Sequence, residues 1–217
     1  MEPINKTISL IIPVYNTEQY FDRCLQSVLS QTYTAMEIIV VNDASQGDID
    51  ERIQSYLQQD TRILYLRHDQ NQGLFRARVT GMSKVTGDYV AFLDSDDYIS
   101  RDFYRTLIER AEETDADIVI GKTVWDNGDS KYVYNLHDSC FHFDVMEGES
   151  IRQAYFSQEA GCYAWHTIWN KLYRASLVSK CFPVFDRIRE HIIMTEDVAF
   201  SSVLLYEARS MARIRGD

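Results

Sequence analysis

Four short apolar runs recur through the first hundred residues of this chain, each followed by a stretch with helical periodicity. The runs are Thr7 to Val14 (Thr-Ile-Ser-Leu-Ile-Ile-Pro-Val), Glu37 to Val41, Ile63 to Arg67 and Tyr89 to Leu93. They are bulky, short and largely uncharged, which is the pattern of strands buried on both faces. Between them, Tyr20, Cys24, Leu25, Val28 and Leu29 recur at helical spacing, as do residues of Ile49 to Gln58 and of Leu74 to Val85. A further helix, Phe103 to Thr114, leads to a fifth strand at Asp117 to Gly121. Strand and helix alternating in this way predict right-handed βαβ units and a mostly parallel central sheet, an α/β/α sandwich. Pro13 is expected to end the first strand, because it cannot donate to a ladder. Asn16 or Thr17 then caps the helix that follows.

After Gly121 the pattern degrades. Short strands and aromatic-rich loops run from Trp125 to Gly148, then helical patterns cover Glu149 to Ser157 and Val198 to Tyr206. We therefore read residues 1–122 and 123–217 as two halves sharing one core, the second smaller and less regular.

The 217 residues suffice for one sizeable core. Against 22 Lys and Arg stand 33 Asp and Glu, a net charge of -11, which argues against nucleic acid as a partner. Cys24, Cys140, Cys162 and Cys181 form no CxxC pair and are expected to be reduced, structural thiols of a reducing compartment. No signal peptide is expected, since Glu2, Pro3 and Lys6 lead directly into a strand pattern, and no apolar run approaches the length of a membrane span.

The chemistry-bearing groups sit at strand ends. Tyr15, Asn16 and Glu18 follow the first strand, Asp43 follows the second, and Asp94-Ser95-Asp96-Asp97 follows the fourth. In a parallel sheet these ends converge on the edge where ligands bind. Carboxylates as close as Asp94, Asp96 and Asp97 repel one another, which reads either as a site that calls for a cation or as a solvated acidic turn. No G-x-G-x-x-G follows the first strand and no G-x-x-x-x-G-K-[ST] occurs, so neither a dinucleotide nor a P-loop site is expected. Tyr15 and Asp43 suit stacking on and hydrogen bonding to a base, and a metal on Asp96 suits a diphosphate. Taken singly, Tyr15 reads better as a packed core tyrosine and Asp43 better as a helix or turn cap. Only their joint placement selects the ligand reading.

Ile11-Ile12-Pro13-Val14-Tyr15-Asn16, Val40-Val41-Asn42-Asp43-Ala44-Ser45, Asn71-Gln72-Gly73 before Ala77-Arg78, and Gly87-Asp88-Tyr89 before Asp94-Ser95-Asp96-Asp97 together resemble family 2 glycosyltransferases of the GT-A fold. Trp169-Asn170-Lys171-Leu172-Tyr173 and Glu196-Asp197 resemble two later signatures of that family, in the expected order. The resemblance implies a nucleotide-sugar-binding half at 1–122 and an acceptor-side half at 123–217. It implies that Pro13, Val14, Tyr15 and Glu18 line the donor pocket, and that Asp43 bonds uracil or ribose. Asp94, Ser95 and Asp96 would form the D-x-D element, with Asp94 near the ribose and Asp96 on Mn²⁺ or Mg²⁺. Arg78 would help hold the donor, against a reading as an exposed or helix-packing arginine. Val79 stands where the family often carries Asn, a departure in that helix.

The implied reaction is transfer of a sugar from a nucleotide-diphosphate donor, a UDP-sugar, to an acceptor hydroxyl in cell-surface polysaccharide synthesis. Asp197 would be the general base of a single inverting displacement, kept ionised by the helix N-terminus. Glu196 and Trp169 are assigned to the acceptor side. The acceptor would be a saccharide or lipid-linked saccharide, which places the protein in the cytoplasm, at the inner face of the membrane. Two rivals are a nucleotidyltransferase, which would carry a basic glycine-rich loop after the first strand, and a nucleotide-sugar-binding module without catalysis. His137, Cys140 and His142 imitate zinc ligands without a standard spacing. Trp165, Trp169 and Tyr173 suit stacking on a sugar ring, and Trp165 suits a packed subdomain core at least as well. In the resembling enzymes more chain follows the Glu-Asp helix, so a truncated C-terminus is expected.

Overall fold

The computed structural model describes residues 4–126, 131–132, 140–157, 162–192 and 195–215. Its first half follows the alternation of the sequence: β1 (Ile8–Val14), α1 (Glu18–Leu29), β2 (Met36–Asn42), α2 (Ile49–Leu57), β3 (Ile63–Arg67), α3 (Leu74–Met82), β4 (Tyr89–Phe92), α4 (Phe103–Thr114) and β5 (Ile118–Ile120). The strand pair β6 (Trp125–Asp126) and β7 (Lys131–Tyr132) is followed by β8 (Val145–Glu147) and α5 (Glu149–Phe156). A single 3-10 turn at Tyr163–Trp165 then precedes β9 (Lys171–Arg174), α6 (Ala175–Arg187), α7 (Glu196–Glu207) and β10 (Ser210–Arg213).

The eight-stranded sheet has the order β3-β2-β1-β4-β9-β5-β10-β8. β1, β2, β3 and β4 pair in parallel, while β9 runs antiparallel between β4 and β5. Pro13 does not end β1: it stays in register opposite Val41, and the strand runs on to Val14.

Alternate residues of the strands feed two cores. Ile8, Leu10, Ile12 and Val14 pack with Phe21 and Leu25 of α1, Ile53 of α2 and Leu107 of α4. Ile11, Ile39, Val41, Val90 and Phe92 face the other way, onto Phe75 and Val79 of α3, Phe185 of α6 and Phe200 of α7. Each central strand is thus covered on both faces, which is why its sequence is a continuous apolar run rather than an alternation. Helix α3 lies pressed on β1. A Cβ on Gly81 would come within 2.5 Å of Ile11 Cγ2, so only glycine permits this approach.

The expectation of four reduced thiols is corrected. Cys140 and Cys162 are paired as a disulfide, so only Cys24 and Cys181, both buried, remain as thiols among the described residues. The pairing joins the segment before β8 to the 3-10 turn and removes Cys140 from any metal constellation. His137 lies outside the described residues, and His142 is exposed. Trp165 is core, set edge-on to Phe141 at 4.8 Å. No helix of the described residues is long and apolar enough to cross a membrane.

Candidate active site

The ends of β1, β2 and β4 open on one cavity of about 430 Å³. Pro13, Val14, Tyr15, Asp43, Asp94, Ser95, Asp96 and Glu196 line it. Of the residues assigned to the donor or metal, Glu18 and Arg78 lie outside this lining. The cavity also takes in Thr17, Asn71, Gly73, Leu74, Ala77, His191 and Ile192, which residue type alone did not mark.

The loops after β1 and β2 are tied to each other. Asn16, in a left-handed conformation (φ 53°), receives the Gln46 backbone N–H on its Oδ1 at 2.9 Å and donates its own N–H to Ser45 Oγ at 3.1 Å. This leaves Tyr15 45% exposed, with its ring free to meet a ligand. Thr17 caps α1 in position, but its hydroxyl bonds Ser95 Oγ at 2.8 Å instead of a helix N–H. That contact ties the first strand end to the D-x-D loop. Glu18 turns aside, its Oε1 buried against the Gly47 turn without a hydrogen-bond partner among the described residues.

Asp43 is buried at the cavity wall. Its Oδ1 accepts from the Gln72 backbone N–H at 2.8 Å and from His68 Nδ1 at 2.6 Å, and its Oδ2 accepts from the Gly73 N–H at 2.8 Å. The Asn71-Gln72-Gly73 turn thus serves to hold this carboxylate. Gly73 reaches it with φ 87°, a conformation that favours glycine.

The acidic loop after β4 is not three like carboxylates around a common point. Asp94 Oδ1 accepts from Arg78 Nη2 at 2.7 Å. Arg78, 1% exposed, is neither a surface arginine nor in the cavity wall. It projects from the enclosed helix α3, and its Nη1 donates to Asp197 Oδ1 at 2.6 Å, with Glu196 Oε1 3.8 Å away. Its Nε, also buried, has no acceptor among the described residues. One cation therefore joins the D-x-D aspartate to both acids at the start of α7.

Burial pushes the Asp197 carboxyl above the ordinary carboxylate range, and Asp94 and Glu196 add to this while Arg78 opposes it. Burial thus opposes the ionisation that a helix N-terminus favours, and a raised basicity favours proton abstraction near neutral pH. Thr195, the residue before the acidic pair, holds φ 64°, a strained conformation for a β-branched side chain. Tyr163 projects beside this pair, 61% exposed; burial of the phenol raises its pKa, and the charges of Asp197, Asp94 and Glu196 raise it further. Asp97 is exposed as a residue, yet burial of its carboxyl, with Asp94 and Asp96 nearby, pushes it up to about 6.

The donor set suits a hard divalent cation brought with a diphosphate. Asp96 is exposed at the cavity, and Asp94 keeps one oxygen beyond its Arg78 contact. No third metal-ligating side chain completes a cage among the described residues. Mg²⁺-type sites commonly use one or two carboxylates and take their other ligands from phosphate and water. Trp169 is half-buried, its neighbour Asn170 is buried, and Lys171 is fully enclosed. Its ammonium donates to Ala164 O and Thr167 Oγ1 at 2.9 Å each, to Asn170 Oδ1 at 3.1 Å, and to Thr167 O.

Residues 9–180 match the family described as Glycosyl transferase family 2. Glycosyltransferase GlyA of Streptococcus pneumoniae is 36% identical over 80% of this chain, which spans 25% of GlyA's length. The fold is that of S. aureus TarS 1–349, with a TM-score of 0.76 and 22% identity over 97% of this chain and 58% of that one. TarS 1–349 has been crystallised with UDP and with UDP-GlcNAc. A mannosyltransferase of Pyrobaculum calidifontis, crystallised with GDP-Man and Mn²⁺, aligns with a TM-score of 0.57 and 14% identity over 82% of this chain and 47% of its own. Strand order, cavity and sequence agree: this chain has the GT-A fold and belongs to glycosyl transferase family 2.

Proposed function

We propose that this chain transfers a sugar from a UDP-sugar to an acceptor hydroxyl with inversion at the anomeric carbon. The observation that carries the reading is the cavity itself. It brings Tyr15 and Asp43, Asp94 and Asp96, and Glu196, the neighbour of Asp197, to one lining, which supports a site for base, ribose, diphosphate and acceptor together.

Tyr15 stacks on the base, and Asp43 accepts a hydrogen bond from it. Asp94 faces the ribose, with Pro13, Val14 and Ser95 shaping the wall. Asp96, with Asp94, would hold Mn²⁺ or Mg²⁺, which when bound offsets the charge that develops on the leaving diphosphate. Asp197 takes the proton of the acceptor hydroxyl, on the face of the sugar opposite the diphosphate. Arg78 holds Asp197 in place, and the opposing pull of burial keeps that carboxylate basic. Glu196, Trp169 and the exposed ring of Tyr163 border the acceptor. A single displacement without a covalent sugar-enzyme step converts an α-linked donor into a β-linked product. The acceptor is a saccharide or lipid-linked saccharide of cell-surface polysaccharide synthesis, met on the cytoplasmic face of the membrane.

A panel of UDP-, GDP- and dTDP-sugars, read by thermal shift with and without Mn²⁺, tests this. Ligand binding to the native state raises stability by mass action. The reading expects stabilisation by one UDP-sugar that Mn²⁺ enhances. No donor- and metal-dependent shift would overturn it. An Asp197→Asn variant that turns over donor at the wild-type rate would remove the base assignment while leaving the donor site.

A further inference from the structure

Asp43 is the one acidic group of the base end of the cavity, and its orientation is set by a residue that does not line the cavity. His68, at the end of β3, is 8% exposed and lies between Asp43 and α3. Its Nδ1 is 2.6 Å from Asp43 Oδ1 and its Nε2 is 2.9 Å from Thr80 Oγ1. A carboxylate oxygen only accepts, so Nδ1 carries the proton. In the neutral imidazole, Nε2 then accepts from the Thr80 hydroxyl. The chain Thr80 O–H to Nε2, Nδ1–H to Asp43 fixes one tautomer and one ring orientation.

The consequence lies on the carboxylate. Oδ1 has both acceptor positions filled, by His68 and by the Gln72 N–H. Oδ2 has one filled, by the Gly73 N–H. A single acceptor position therefore remains for a ligand, on an oxygen that cannot rotate away. Such a position accepts the ring N–H of uracil. It meets the unprotonated ring nitrogen of cytosine lone pair to lone pair, and a fixed, buried polar group discriminates more strongly than a mobile one.

We infer that His68 is a positioning residue for nucleotide selection, which locks Asp43 so that its last acceptor position reads a ring N–H. The inference rests on the site being a nucleotide-diphosphate donor site. His68 touches neither base nor sugar, so it acts on donor affinity and base choice and leaves the displacement step unaltered.

Two substitutions split the imidazole. His68→Asn keeps an N–H near the Nδ1 position and loses the bond to Thr80. His68→Gln places its amide near Nε2 and loses the bond to Asp43. UDP and CDP affinities are measured by calorimetry with Mn²⁺ in the buffer, alongside donor KM, kcat and the melting temperature. Wild type is expected to prefer UDP. His68→Gln should lose about tenfold of that preference, the scale of one lost hydrogen bond to a charged group. Donor KM should rise with kcat at saturating donor unchanged, and His68→Asn should retain most of the preference. A purely structural His68 would lower the melting temperature in both variants and leave the UDP to CDP ratio as in wild type, which would overturn the inference. Should His68→Gln fail to fold, His68→Leu, which removes the N–H to Asp43 without adding a polar group, must lower the ratio in the same direction. An unchanged ratio there also overturns the inference. Wild type that binds neither nucleotide overturns the donor-site reading itself, a result distinct from binding without discrimination.

Discussion

Arg78 Nη1 donates to Asp197 Oδ1 at 2.6 Å, joining side chains 119 positions apart in the sequence. The same guanidinium bonds Asp94, so the charge after β4 that called for a cation already has one inside the protein. The buried arginine fixes the distance between the donor-side aspartate and the proposed base before any ligand arrives.

Removing that arginine strands two partly buried carboxylates and is expected to be costly. Arg78→Met should lower the free energy of unfolding by about 3 kcal/mol, the scale for breaking a buried ion pair by deleting one partner. Urea denaturation measures this. A loss below about 1 kcal/mol would show that the network contributes little to stability.

Asp197→Asn should separate turnover from stability. Burial raises the Asp197 pKa, so the folded state holds its proton to higher pH than the unfolded chain does. Its contribution to stability is therefore largest when protonated and declines as pH rises through that window. Asparagine resembles the protonated form, so the melting temperature at neutral pH should hold or rise. Turnover should fall by roughly 10²–10⁴-fold, the usual contribution of a positioned acid or base. The acid limb of the wild-type pH–rate profile should lie above the range of an exposed carboxylate.

Lys171 gives a stability signature in the alkaline range. Burial lowers its pKa to about 7, against the pull of Asp197. Between that value and the ordinary lysine value the unfolded chain binds more protons, so wild-type stability gains a rising contribution with pH. Lys171→Met lacks that contribution, and its deficit relative to wild type should widen from pH 7 to pH 9 in chemical denaturation. At pH 7 it should already lose about 2 kcal/mol, because buried carbonyl oxygens lose their donor.

Tyr15 is exposed in the cavity, where we propose that the base stacks. Tyr15→Ala should weaken UDP binding about tenfold, the scale of one base–aromatic stack, with little change in melting temperature. Calorimetry measures it, and unchanged affinity would move the base elsewhere in the cavity.

Gly81→Ala should lift α3 from β1, since its Cβ would meet Ile11 Cγ2 at 2.5 Å. Overpacking of this kind costs about 1–3 kcal/mol. Because α3 carries Arg78, the variant should lose activity beyond its loss of stability, as kcat measured well below the melting temperature will report.

How much of this was legible follows from burial. Strands β1 to β4 lie between two helical layers, so their apolar runs are unambiguous, and β3 matched its predicted bounds, Ile63–Arg67. β9 was not legible as a strand: Lys171–Arg174 opens and closes on cations, and Lys171 is tolerated inside only because four oxygens surround its ammonium. α6 was hidden by Pro183 within it, and β10, Ser-Met-Ala-Arg, has no β-branched residue. Tyr15, Asp43 and Asp94 to Asp96 were found because they end recognisable strands. His191 and His68 were not, because histidine beside a turn carries no signal until the fold shows what it faces. The disulfide was missed for a similar reason, since a separation of 22 residues between Cys140 and Cys162 has no distinctive spacing.

The placement of β9 also governs the order in which this protein can be made. Among the described residues β5 pairs with β9 and β10, and neither has been synthesised when residue 122 leaves the ribosome. β4 likewise waits for β9 on one side. The emerging chain must carry two open sheet edges for some fifty residues of translation, until Lys171–Arg174 slots between them. A fragment cut after residue 122 therefore lacks the strand that joins its own sheet.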